Sequence, residues 1–134
     1  MRNKAIARFA DGHWVKGTTL DFSPTRELFH MRGADAPPGS PPVTIHVRDL
    51  KFLAFVYDLE GDPRGRSTES LRQHHPAHGT PVRVTFNDGE VLLGTTTTYK
   101  PGASGFFVEP AAEGANEERI YVVSAATREV AVMS

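Results

Sequence analysis

The fold is decided by residues 82–94, which read VRVTFNDGEVLLG, because residues 5–17, AIARFADGHWVKG, carry the same pattern. When residue 5 is placed over residue 82, the two stretches share alternating apolar side chains, an Asp-Gly pair and a later glycine. Alternation with a period of two is typical of a strand with one buried face. An Asp-Gly pair between two such runs indicates a tight hairpin turn. Each stretch therefore predicts a β-hairpin.

The similarity continues beyond the two hairpins and predicts an internal repeat with an offset of 77 residues. The aligned positions include Gly17-Thr18-Thr19 over Gly94-Thr95-Thr96, Phe22 over Tyr99, Pro24 over Pro101, Phe29 over Phe106 and Met31 over Val108. After a variable loop the sequence indicates an offset of 75, which places Ile45-His46-Val47 over Ile120-Tyr121-Val122. Each half of the chain is therefore predicted to be one copy of the same unit.

Each unit is predicted to contain five short strands. In the first copy they span 5–9, 14–22, 28–31, 43–47 and 50–57, and in the second copy 82–86, 90–99, 105–108, 119–123 and 129–133. Gly17 and Gly94 interrupt the second strand of each copy, where a small barrel needs a bend or a bulge.

Five short antiparallel strands in about 55 residues suit a small barrel of the SH3 or Sm type. The predicted fold is therefore all-β, with two tandem small SH3/Sm-like barrels related by the internal repeat. Residues 1–59 form the first barrel in this prediction, and residues 81–134 form the second. Residues 60–80, which are rich in Gly and Pro, form the linker.

Composition excludes several classes of protein. The chain has 134 residues, which fits one ordinary domain or two very small ones. Its 15 Lys and Arg against 16 Asp and Glu disfavour a basic protein that coats nucleic acid. Without cysteine there is no disulfide, thiolate nucleophile or Cys-containing zinc site. No apolar run approaches the ~18 residues of a membrane span, so we expect a soluble, cytoplasmic protein without membrane contact.

Metal binding and catalysis are not expected. His74, His75 and His78 lie in the Gly- and Pro-rich linker, where such a cluster is more often solvated than bound to metal. No catalytic signature such as a Gly-x-Ser-x-Gly elbow is present. Asp11 and Asp88, the two carboxylates that recur in both copies, are explained by the hairpin turns. The prediction is a non-enzymatic protein with no metal and no cofactor.

The second copy carries a resemblance to a known family. Its stretch PVRVTFNDGEVLLG at 81–94, followed by Gly105-Phe106-Phe107 and Tyr121-Val122-Val123, resembles a bacterial domain family of unassigned function in which two related β units lie in tandem. The resemblance covers nearly the whole chain and implies a tandem β-barrel fold, SH3/Sm-like in outline. The first copy departs from it with Leu28-Phe29-His30 and with a proline-rich loop at 32–42.

Outward-facing aromatic residues in the second copy suggest where a partner binds. Strand alternation turns Phe107 and Tyr121 away from their buried neighbours. Glu109 and Glu118 flank an acidic loop beside them. Two aromatic anchors with a polar rim are typical of a protein docking site, so these four residues are the predicted partner-binding site. The alternative is that the two aromatics pack between the barrels.

These features favour a protein–protein interaction module, an adaptor or scaffold. A bacterial signalling or cell-polarity role, with a receiver protein or a small GTPase as partner, is the expected context. Two alternatives stay open. One is an Sm-like nucleic-acid-binding protein, although the net charge of -1 makes nucleic acid the weaker prediction. The other is a sensor of a small ligand such as a nucleotide second messenger, for which Arg64, Arg66 and Arg72 in the linker are the candidates. The oligomeric state is not predicted.

Overall fold

The computed structural model describes residues 3–57, 59, 79–110 and 117–133. Across these residues the secondary structure is ten β-strands and two short 3-10 helices, so the all-β prediction is confirmed. The strands are β1 (Asn3–Phe9), β2 (Trp14–Thr19), β3 (Leu28–Gly33), β4 (Val43–His46), β5 (Leu50–Val56), β6 (Thr80–Phe86), β7 (Val91–Thr96), β8 (Gly105–Pro110), β9 (Glu117–Val123) and β10 (Thr127–Val132). The 3-10 helices are Val47–Asp49 and Ser124–Ala126. In this part of the chain, no helix has the length and apolar character needed to span a bilayer.

The ten strands form one open antiparallel sheet, whereas the sequence predicted two separate barrels. Its strand order is β10-β6-β7-β8-β9-β5-β1-β2-β3-β4. The two halves meet where β5 pairs with β9, with Leu53 opposite Tyr121. We call this pairing the central joint. Of the predicted linker, only residues 79 and 80 are described, and Thr80 already begins β6.

Strand pairing follows the same scheme in both halves. Ala5 lies opposite Phe55 in the β1·β5 pair, and Val82 lies opposite Val132 in the β6·β10 pair. Both pairs contain a register irregularity at the corresponding place near the end of β1 and β6. The strand registers of the two halves therefore coincide when the halves are aligned at the offset of 77 seen in the sequence.

The offset of 75 predicted after the variable loop is wrong. Phe29 lies opposite Ile45 in the first half, and Phe106 lies opposite Val122 in the second. Ile45 therefore corresponds to Val122, and the counterpart of Tyr121 is Thr44 rather than His46. A shift by two residues keeps every side chain on the same face of a strand, so hydrophobic alternation could not detect the error.

The hairpin turns predicted from Asp11-Gly12 and Asp88-Gly89 are present. Gly12 has a φ of +104° and Gly89 a φ of +93°, whereas neither aspartate has a positive φ. In the first turn the Phe9 N–H donates to the His13 carbonyl over 2.9 Å, so three residues form the loop. A three-residue loop needs a left-handed conformation only at its last position, which glycine provides.

Gly17 and Gly94 have a different role from the predicted bend. The pairing of β2 with β1 and of β7 with β6 runs through both glycines without interruption. A Cβ atom at Gly17 would overlap the carbonyl oxygen of Arg32, and one at Gly94 would overlap that of Glu109. The glycines therefore allow β3 and β8 to approach closely.

Apolar side chains form two cores, which lie on opposite faces of the two central strands. The first-half core contains Ala5, Ala7, Phe29, Met31, Ile45, Leu50, Leu53, Phe55, Tyr121 and Val123. The second-half core contains Ile6, Phe52, Ala54, Val56, Val82, Val84, Phe86, Leu92, Phe106, Val108, Ile120, Val122 and Ala126. Alternate residues of β5 and of β9 enter each core, and every residue of β5 is buried. A strand that is apolar on both faces must be covered on both, which explains why β5 lies in the middle of the sheet.

Candidate functional site

The predicted docking aromatics lie at the central joint. Tyr121 is only 2% exposed and belongs to the first-half core. Its ring centroid lies 5.1 Å from that of Phe22 and 5.1 Å from that of Phe107. Strand alternation does turn Tyr121 away from Ile120 and Val122, but the first half of the chain covers the face it points to. Tyr121 therefore packs between the two halves, as in the alternative to partner binding, and it is not an exposed anchor.

Phe107 is half-buried beside Tyr121 and is covered by a cation. The Arg119 guanidinium carbon lies 4.7 Å from the ring centroids of both Phe107 and Phe55. Such contacts stabilise a cation over an aromatic face. Glu109 and Glu118, the other two predicted residues, are exposed on β8 and β9. The loop between them, residues 111–116, lies outside the described residues.

A groove of about 690 Å³ runs along one side of the central joint, and we call it the joint groove. It is lined by residues 24–28, 46–48, 103–104 and 123–125 together with Tyr121. Residues 24–28 run into the first residue of β3, and residues 46–48 run from the last residue of β4 into the first 3-10 helix, so these two segments come from the first half. The other lining residues come from the second half. The joint groove therefore exists only because β9 pairs with β5.

The floor of the joint groove carries the hydroxyl of Tyr121. Burial raises the pKa of the Tyr121 phenol, and a hydrogen bond with Ser104 offsets part of that rise. The hydroxyl therefore stays protonated at neutral pH and can donate or accept a hydrogen bond. Val123 provides a buried apolar surface beside it.

Basic side chains dominate the rim of the joint groove. Arg26 lies 4.0 Å from the Asp21 carboxylate, and Arg48 makes no hydrogen bond or ion pair within the described part of the chain. His46 adds an imidazole, and Glu27 is the one acidic residue among the described residues of the lining. Arg48 therefore gives the rim a cation that can pair with a negatively charged group.

Asp21 is held by a neighbouring histidine. The Asp21 carboxylate accepts the His30 backbone N–H over 2.9 Å, and its other oxygen lies 2.7 Å from the His30 ring nitrogen Nδ1. Burial raises the pKa of Asp21, but the hydrogen bonds with His30 outweigh it, so the pKa lies below its usual value. Asp21 thus remains charged, and it neutralises Arg26 only in part.

An ion-pair cluster also joins the two halves. The Lys51 ammonium, on β5, donates to the carboxylates of Asp88 and Glu90 in the β6–β7 hairpin. Lys51 is 4% exposed and lies over the rings of Phe52 and Phe86. Burial raises the pKa of Asp88, but the hydrogen bonds from Lys51 and from the Glu90 backbone N–H lower it by more than burial raises it. The pKa of Asp88 therefore lies below its usual value.

Sequence reasoning missed the joint groove and the Lys51 cluster. The sequence placed Arg48 in the short polar segment before β5, but nothing in it indicated that the end of β9 would lie beside this segment. The linker residues Arg64, Arg66, Arg72, His74, His75 and His78 lie outside the described residues. Within the described ranges, no three His, Cys, Asp or Glu side chains are grouped as metal ligands would be.

Comparison with known proteins identifies the family. No curated protein and no solved structure matches the chain. One family model matches residues 1–134, the whole of the sequence, and its description is a family of unknown function. The chain therefore belongs to the DUF6982 family.

Proposed function

We propose that this protein is a protein–protein interaction module whose joint groove binds an extended, acidic segment of a partner. The observation that carries the proposal is a groove with a Tyr121 and Val123 floor and, on its rim, an Arg48 that makes no hydrogen bond or ion pair with the described part of the chain. An apolar floor with a few polar groups suits the anchor of a peptide, and basic rim residues select its charge.

The size and position of the joint groove support a peptide as the ligand. About 690 Å³ accommodates several side chains, and four chain segments from both halves border the space. Because the lining comes from strands and turns of one continuous hydrogen-bonded sheet, a partner segment would meet a largely preformed surface. Preformed surfaces lose less conformational entropy on binding.

We also propose that each half of the sheet is a small SH3/Sm-like barrel of a bacterial tandem-barrel protein. The support for this is the identical strand order and register of the two halves, and the presence of two cores, each built mainly from one half. The role that fits is a cytoplasmic adaptor or scaffold in signalling or cell polarity. A receiver protein or a small GTPase is the proposed class of partner.

Selection from a random peptide display library tests the proposed function. We expect the selected peptides to be enriched in Asp and Glu around one apolar residue. Replacement of Arg48 by Glu should weaken a selected peptide by at least about tenfold in fluorescence anisotropy, because it reverses the charge that attracts the ligand. Lys100→Glu is the matched control, since Lys100 is an exposed cation outside the groove lining.

Two outcomes would overturn this proposal. Selected peptides without acidic enrichment, or equal affinities for the Arg48→Glu and Lys100→Glu variants, would show that the groove does not select acidic segments. Binding of single-stranded RNA with a steep salt dependence would instead favour the nucleic-acid alternative.

A further inference from the structure

Among the residues that the structure describes, the sheet ends in two edge strands of different type, each paired on one side only. β4 forms one edge and β10 forms the other. β4 is the fourth strand of the first half, and β10 is the fifth strand of the second half. An unpaired edge exposes backbone N–H and C=O groups that can pair with another strand.

The central joint already pairs these two strand types. By the shared register, β9 is the counterpart of β4, and β5 is the counterpart of β10. The pairing of β5 with β9 is therefore a fifth strand of one unit against a fourth strand of the next. The two edge strands of the described sheet are therefore one strand of each type, and neither takes part in such a pairing.

Backbone geometry shows which groups at the two edges point away from the sheet. The Val47 N–H donates to the Glu27 carbonyl over 2.9 Å, so alternate residues of β4 direct their backbone toward β3 and leave Thr44 and His46 facing outward. At the other edge, the Met133 N–H donates to the Pro81 carbonyl over 2.8 Å. The outward backbone groups of β10 are consequently those of Val130 and Val132.

The ion pair of the central joint also has counterparts at the free edges. Lys51 of β5 contacts Asp88 in the hairpin of the neighbouring unit. The residue that corresponds to Lys51 is Arg128, which is exposed on β10, and the residue that corresponds to Asp88 is Asp11, whose side chain is 69% exposed. The two edges thus keep opposite charges at the positions of Lys51 and Asp88, whereas His13, which pairs with Asp11, stands where the central joint has Glu90.

From these observations we infer that the protein binds a second copy of itself head to tail, with β10 of one copy against β4 of the next. In this arrangement Val130 lies opposite Thr44, as Leu53 lies opposite Tyr121 in the central joint. Arg128 of one copy then meets Asp11 of the other. The exposed Val43 and Val132, 47% and 56% accessible in the single chain, lie at the two edges that are covered.

The contact between copies is weaker than the central joint. Glu129 stands where β5 has Phe52, and Pro42 stands where β9 has Arg119. Pro42 offers no N–H, and Glu129 buries less apolar surface than Phe52. Association is therefore reversible and increases with protein concentration. The contact covers β4, whose His46 also lines the joint groove, but it requires no acidic peptide, so self-association and peptide binding are tested separately.

Charge exchange between the two edges tests this assembly by sedimentation velocity over a concentration series. We expect wild-type protein to associate as its concentration rises, and Arg128→Glu or Asp11→Arg alone to lower the association constant about tenfold. An equimolar mixture of the two variants, or the double variant, should regain association because every contact again joins opposite charges. Lys100→Glu controls for the change in net charge.

Thr44→Pro provides a second test that does not depend on charge. It removes an outward N–H of β4 without removing a hydrogen bond to β3, so the variant should fold and lose association. Wild-type protein that stays monomeric at the highest concentration would overturn the inference. Restored association in neither the mixture nor the double variant would show that the copies do not meet at Arg128 and Asp11.

Discussion

The buried ammonium of Lys51 donates a 2.7 Å hydrogen bond to the carboxylate of Asp88 and so joins the two halves of the sheet. The contact crosses from β5 to the β6–β7 hairpin, and the Glu90 carboxylate accepts a second hydrogen bond from the same ammonium. A buried cation requires such partners, because an unpaired charge in the interior is strongly destabilising. The cluster therefore fixes how the second half lies against the first.

Removal of both carboxylates should destabilise the protein. The double variant Asp88→Asn, Glu90→Gln leaves Lys51 buried without a countercharge, and we expect unfolding free energy to fall by about 2–3 kcal/mol. Denaturant unfolding of dilute protein measures the change. Asp11→Asn, the same substitution in the equivalent and more exposed turn, should change stability by less than about 0.5 kcal/mol. Equal effects in the two turns would contradict the role of the cluster.

Acid should destabilise the protein, in part through Asp88. Its pKa is lower in the folded chain than the usual value of about 3.9, so its contribution is present above that value and is lost as pH falls through the folded pKa. Unfolding curves measured from about pH 6 down to about pH 3 should show this loss. Asp88→Asn should reduce the slope without abolishing it, because the pKa values of Asp11 and Asp21 are lowered too. An unchanged slope would exclude this contribution.

Gly94→Val should lower stability by about 1–3 kcal/mol. The new side chain would meet the backbone of Glu109 and the side chain of Val108, both of which lie against Gly94. Thermal melting measures the loss. Gly33→Ala is a suitable control, since a Cβ there would reach only Ala36, at an ordinary 3.7 Å. A melting temperature that Gly94→Val leaves unchanged would show that β7 and β8 can separate at little cost.

The aromatic residues at the central joint should differ in their contribution to stability. Tyr121→Ser removes a buried ring from the first-half core and should cost about 3 kcal/mol or more, whereas Phe107→Ser removes a half-buried ring and should cost less, about 1–2 kcal/mol. Thermal or denaturant unfolding of the two variants tests the ranking. A fully stable Tyr121→Ser variant would show that this side chain is not part of the core.

The sequence contained most of the information on strands and little on how they meet. The Asp11-Gly12 and Asp88-Gly89 turns and the alternation around them located the hairpins, because these signals are local. Alternation has a period of two, however, so it could not distinguish Thr44 from His46 as the counterpart of Tyr121. The register of β3 with β4 and of β8 with β9, which the structure provides, resolves that ambiguity.

The joint groove could not be predicted because its lining depends on a contact between distant segments. β5 reads as the apolar run LKFLAFV, which indicated a buried strand but not its second neighbour. Tyr121 was predicted to face outward because Phe22, whose ring packs against it, belongs to the other half of the chain. Only the β5·β9 pairing brings these parts together.

Protection of single cysteines most directly tests the claim that a partner binds in the joint groove. The chain has no cysteine, so Ala125→Cys in the groove lining and Thr97→Cys on an exposed turn elsewhere each give one reporter. A saturating acidic peptide selected against the protein should slow alkylation of the cysteine at position 125 by about tenfold or more and leave position 97 unchanged. Alkylation at position 125 that the bound peptide does not slow would contradict the account.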